Sequence, residues 1–367
     1  MVKILMENAA TLNIEHSTKD QDGWTAFHSA CLNGHSTVVK ILMENVSALS
    51  IDVNMTDNDG WTGFHWACNK GFLDVVQIFM ENAATLNIDL NIKDKRGCTP
   101  FHLACQKGKS DVVEMLITNA ATLSIDLSTK DNDGFTDLHC ACINGHTNVV
   151  KIIMENASAF SIDLNRKDSF GSTAFHLACD MGFSDGVKIF MAMATNLSID
   201  LNTKDANGMT GFHLACISGQ SNVVKIVMDS EYSNHLEEKK YLSPSCIILA
   251  SALKIDLNRI DNKGYTAFHY ICQIGNSELV KMFMKNAAAL KINLHMKNND
   301  GLNALDLASR SGCTDVVNIL MKDLEYESPQ TNQGRSPMML SAQSLLQSYS
   351  YREVREGWST PEILEDN

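Results

Sequence analysis

The phrase GWTAFHSACLNGH, beginning at Gly23, recurs as GWTGFHWACNKGF, GCTPFHLACQKGK, GFTDLHCACINGH, GSTAFHLACDMGF, GMTGFHLACISGQ and GYTAFHYICQIGN, with a degenerate eighth copy from Gly301. The opening glycines, Gly23, Gly60, Gly97, Gly134, Gly171, Gly208, Gly264 and Gly301, stand 37 residues apart except for one interval of 56. A chain of 367 residues would ordinarily divide into two or three domains. Units of fixed length instead bury their apolar faces against one another, so core size follows repeat number and the chain reads as a solenoid.

The breaks in the pattern set the organisation. Residues 1–22 read as the C-terminal half of a truncated repeat, because Val2 to Met6 keep the register of Val150 to Met154, and the chain is expected to start mid-repeat, either as a piece of a longer protein or with one apolar flank exposed. Eight repeats then fill 23–324. The extra residues of the long interval fall near 229–247, carry Pro244 and sustain no helical period, so an inserted surface loop is expected. The segment 325–367 is rich in Ser, Gln and Glu and is expected to be a mostly disordered acidic tail.

Within one repeat, Thr25 stands where a helix N-cap belongs, and Pro100 follows the equivalent Thr99 at a position where its missing N–H does no harm. The spacing predicts a short helix through FHLAC, stopped by a glycine such as Gly34 or Gly108, and a second cap at Ser36, Ser110, Thr147 and their equivalents. A longer helix through VVKILM and a connecting turn in SIDLN complete the unit. Gly186 interrupts the second helix of repeat 5, where most other repeats carry valine.

The pattern T-x-F-H-L-A-x-x-x-G-H-x-x-V-V-K-x-L, here at 25–43 and its seven successors, resembles the ankyrin repeat. That resemblance implies an all-α repeat solenoid of stacked helix-turn-helix units, each with a projecting β-hairpin finger, that binds other macromolecules. The family period is about 33 residues. The additional four lie after the second helix and predict about one further helical turn, with Leu86, Leu123 and Leu197 packing between neighbours.

Composition narrows the function. No stretch reaches the ~18 apolar residues of a membrane span, so direct membrane insertion is not expected. A formal charge of −13 repels phosphate backbones and argues against general nucleic-acid binding. Of the 11 cysteines, Cys31, Cys68, Cys105, Cys142, Cys179, Cys216 and Cys272 share one repeat position, where they read as small buried apolar residues rather than as links of a disulfide-bonded oligomer. They suit a reducing compartment, the cytoplasm or the nucleus. His102 and Cys105 imitate metal-ligand spacing, but a residue recurring once per repeat is explained by packing and imidazole-to-backbone hydrogen bonds. No nucleophile or phosphate-binding motif is present, so neither catalysis nor a cofactor or metal is expected.

One side chain per repeat varies inside a fixed frame: Trp24, Trp61, Cys98, Phe135, Ser172, Met209, Tyr265 and Leu302, each just after the opening glycine. The resemblance places this position, with the two residues before the glycine, towards the concave groove where partners dock. A solvated row of aromatics suits partner anchors, although rings lying on neighbouring fingers would stiffen the array instead. Lys95 and Arg96 with Lys107 and Lys109 add a basic island. The expected partner-binding set is therefore Trp24, Trp61, Lys95, Arg96, Cys98, Phe135, Met209 and Tyr265. The expected function is a non-catalytic protein-protein interaction module, a scaffold or adaptor; the alternatives are the soluble ankyrin arm of an ion channel, or a regulatory or substrate-receptor subunit, with other domains elsewhere.

Overall fold

The computed structural model describes residues 17–229 and 255–323. Most of the truncated first repeat, almost all of the inserted segment and the tail lie outside the described residues. The chain divides after Asp163 into two compact bodies, which hold repeats 1–4 and 5–8.

Each repeat is a helix pair. The first helices are Ala26–Leu32, Gly63–Lys70, Pro100–Gln106 and Asp137–Ile143 in the N-terminal body, and Ala174–Asp180, Gly211–Ile217, Ala267–Ile274 and Ala304–Arg310 in the other. Thr25, Thr62, Thr99 and Thr266 cap their helices as the sequence predicts, each accepting the N–H of the histidine three residues on. That histidine returns the bond to the threonine backbone and closes a capping box. Phe, Ala and Cys of these helices are buried, and each first helix packs on the first helix of the neighbouring repeat within its body.

The second helices begin one residue earlier than the Ser/Thr pattern suggests. His35, Lys109, His146 and Gln220 occupy the N-cap position and make no side-chain cap bond, which leaves Ser36, Ser110, Thr147 and Ser221 as the first helical residues. The preceding glycine explains this: Gly108 at φ +67° reverses the chain so tightly that its carbonyl accepts the Ser110 N–H at 2.9 Å.

The extra helical turn is present. Ser110–Leu123 and Ser277–Leu290 run on for 14 residues. In repeats 2, 4 and 5 the same turn carries a helical bond from Leu86, Phe160 and Leu197 to Asn82, Asn156 and Met193. It ends on a left-handed residue other than glycine, such as Asn87, Ser124 or Ser198. Leu86, Leu123 and Leu197 are half-buried; Ile88, Ile125 and Ile199 and then Leu90, Leu127 and Leu201 turn fully inward instead. Asn91 clamps the next repeat at this point, its Nδ2 donating to the Ser124 carbonyl at 2.9 Å and its Oδ1 accepting the Asp126 N–H at 2.8 Å.

No strand forms among the described residues, so the expected β-hairpin fingers are replaced by tight turns. Each finger closes with a single backbone pair: the Asp94 N–H donates to the Cys98 carbonyl at 2.9 Å and the Gly97 N–H returns to Asp94 at 2.9 Å. The Asp94 carboxylate does the remaining work of a ladder, its Oδ1 accepting the N–H groups of Arg96 and Cys98 at 2.9 and 2.8 Å. Asp57, Asp131, Asp205 and Asp261 repeat that geometry. Neighbouring fingers share one backbone bond each, as from Lys95 to Asp59 at 3.0 Å and from Asn132 to Arg96 at 2.9 Å. One bond per finger is too few for a sheet.

Candidate functional site: fingertips and first-helix ends

The row after the opening glycine is largely interior, which corrects the expectation of a solvated aromatic stripe. Phe135 is 0% exposed, Met209 1%, Trp61 3% and Cys98 6%, while Trp24 and Tyr265 are half-buried. The cause is the shortness of the fingers, which lets the side chain after each glycine fall onto the first helices. Trp61 packs at a tilt against Trp66, ring centres 4.3 Å apart, and Trp66 also meets Trp24 edge-on at 5.3 Å, while Tyr265 lies 5.1 Å from Tyr270. The polar ends are satisfied by finger carboxylates: the Trp61 Nε1–H donates to Asp94 at 2.9 Å and the Trp66 Nε1–H to Asp57 at 3.0 Å.

The frame histidines are fixed in one tautomer. The His102 Nδ1 receives the N–H of Thr99 at 3.3 Å and its hydroxyl at 2.9 Å, so Nε2 bears the proton and donates to the Phe135 carbonyl in the next finger at 3.3 Å. His65, His176 and His213 reach Cys98, Met209 and Tyr265 likewise. Both ring nitrogens are therefore engaged within the protein. Burial pushes His65, His102, His176 and His213 down to about 4, and these rings are neutral at physiological pH. Burial likewise raises the thiols at the shared cysteine position, including Cys31, Cys68 and Cys105. Every described cysteine is a free thiol, and all but Cys313 are buried.

The exposed variation lies one residue earlier, at the fingertips. Asp22, Asp59 and Asp133 are exposed and Arg96 is half-exposed in the N-terminal body; Phe170, Asn207, Lys263 and Asp300 are exposed in the other. Phe170 is 51% exposed, a large apolar side chain at a tip where every other repeat has a polar one. Lys95 is exposed beside Arg96, which pairs with Asp94 at 3.5 Å.

A second variable row went unassigned in the sequence: the residue after the glycine that ends each first helix. Phe72 lies over Gly34, Lys109 over Gly71 and His146 over Gly108, each so close that a Cβ on the glycine would stand under 3 Å from the covering side chain. Lys109 thereby joins Lys70, at the end of its first helix, to Lys107 and Arg96. The Lys107 ammonium is held below its usual range by burial and by the charges of Arg96, Lys70 and Lys109. The signal was a 37-residue spacing, since Lys70 precedes Lys107 by one repeat.

The family model for ankyrin repeats in groups of three copies matches residues 1–94, 85–168, 160–239 and 239–331. The chain belongs to the ankyrin repeat family. No curated protein matches it significantly. Ankyrin repeats are generally protein-protein interaction modules, typically without catalytic activity, and at the fingertips and first-helix ends of this chain solvent-accessible side chains change from one repeat to the next. No helix among the described residues is long and apolar enough to cross a membrane.

Proposed function

We propose that this ankyrin array is a scaffold or adaptor that grips a segment of a partner protein along its fingertips and first-helix ends. The observation that carries the reading is the contrast between a rigid frame and variable tips. Each tip backbone is pinned by its finger carboxylate, while the exposed residue changes from Asp59 to Arg96 to Asp133 in one body and from Phe170 to Asn207 to Lys263 in the other. Pre-ordered tips lose little entropy on docking, which favours specific binding. The buried thiols suit a reducing compartment, the cytoplasm or the nucleus, and the role needs no cofactor or metal.

The test places a photo-crosslinking amino acid at position 59, 133 or 170, with position 81 on an exposed second helix as control, in cells that express the chain. Protein adducts recovered from the tips but not from position 81 support the groove. Adducts confined to position 81 would move the interface to the second-helix face.

A further inference from the structure

We propose that Lys70, Arg96, Lys107 and Lys109 form the docking point for an acidic segment of a partner protein. The assignment rests on the interaction-module reading and names the chemistry that its N-terminal body selects.

Four cations lie close enough to repel one another, in a chain with 43 acidic side chains against 30 basic ones. Lys70, Lys107 and Lys109 form no ion pair among the described residues. The carboxylate that Arg96 pairs with, Asp94, is already committed: its side chain is 1% exposed, and its Oδ2 accepts from both Arg96 and the Trp61 indole. The exposed acids at hand, Asp59 and Asp133, stand on the flanking tips and pair with none of the three lysines. Lys107 is also half-buried, so water hydrates it incompletely and an incoming carboxylate gains more there than at a fully exposed lysine.

Packing positions the cluster. Lys70 ends the helix Gly63–Lys70 and Lys107 caps Pro100–Gln106, so both charges sit at first-helix C-termini in adjacent repeats. The Lys109 stem lies across Gly71, its Cδ 2.7 Å from where a Cβ would stand, which directs the chain back towards Lys70. Helix ends favour cations, but the frame does not require them: Asn33, Asn144, Met181 and Ser218 hold the equivalent place elsewhere. An acidic protein segment fits better than nucleic acid. The cluster is flanked by the exposed tips Asp59 and Asp133, which a run of phosphates would meet and a short acidic segment avoids.

The test is fluorescence anisotropy with a labelled glutamate decapeptide on the full chain, at low and at physiological ionic strength. The triple variant K70Q/K107Q/K109Q is expected to bind at least tenfold more weakly, the charge-keeping K107R/K109R to bind like the parent, and the remote K151Q/K188Q to change nothing. Thermal unfolding of each variant checks its fold; should the triple variant unfold, K107Q alone is expected to lose at least threefold. An unchanged Kd in the folded triple variant overturns the proposal, as does tighter binding of a single-stranded oligonucleotide of equal charge. A partner crosslinked at the tips that binds the triple variant undiminished also overturns it, while leaving the interaction-module reading intact.

Discussion

The indole N–H of Trp61 donates to Oδ2 of Asp94 across 2.9 Å, so an aromatic of one finger holds the carboxylate that shapes the next. Trp61 is therefore a brace between repeats 2 and 3. Trp61→Ala removes a buried ring and leaves the buried Asp94 Oδ2 with only the long Arg96 contact at 3.5 Å, and is expected to cost about 3–5 kcal/mol. Trp61→Phe keeps most of the packing and should cost about 1–2 kcal/mol. Urea unfolding measures both, and an alanine variant as stable as the parent would remove the brace.

The frame was legible in the sequence because it repeats: Thr25, His28, Gly34 and their equivalents have one local role each, and eight copies average out the noise. Whether Trp61 faced a partner or its neighbouring finger was not legible, because that depends on how far the finger projects. Asp57 decides it, replacing a strand ladder with two side-chain bonds, and shortens the finger until Trp61 falls inward. The second cap misled for a related reason. Ser36 has the chemistry of an N-cap, but the left-handed Gly34 starts the helix at Ser36 itself.

The Asn91 clamp gives a second prediction. Its amide spends a donor on the Ser124 carbonyl and an acceptor on the Asp126 N–H, joining the second-helix ends of neighbouring repeats as the finger bonds join their tips. Asn91→Ala should lose about 1–3 kcal/mol, whereas Asn91→Asp keeps the acceptor and should lose less. Ser124 sits at φ +53°, so Ser124→Gly is expected to raise the melting temperature if the clamp, and not the serine, shapes this turn. A lowered temperature would reverse that inference.

Gly186 is expected to be required, not merely tolerated. In a helix, alanine usually gains about 1 kcal/mol over glycine. Here a Cβ at position 186 would stand 2.3 Å from the Phe183 ring, so Gly186→Ala must displace that ring. The alanine variant should melt below the parent, and the same change in a Phe183→Ser background should melt above that background. Equal gains in both backgrounds would show that Phe183 does not set the requirement.

The capping histidines make stability depend on acid. His65, His102, His176 and His213 titrate near 4 in the folded chain because burial disfavours their charged form, against 6.5 when unfolded. The unfolded chain therefore binds more protons between those values, and stability present above pH 6.5 is lost as pH falls towards 4. Asp131 acts in the opposite sense: burial raises it from 3.8 to about 6, so its folded form takes up a proton first and gains stability on acidification through that interval. His28 and His269 are lowered by burial in the same way and Asp205 is raised like Asp131; the histidines outnumber the aspartates, and the urea midpoint should fall steadily from about pH 7 to pH 5. Asp131→Asn removes part of the offset and should steepen the fall, whereas His102→Gln should lower stability at neutral pH yet flatten the dependence. A midpoint independent of pH across this range would mean that the imidazoles are not held neutral by burial, and the fixed tautomer at the finger contacts would fall with it.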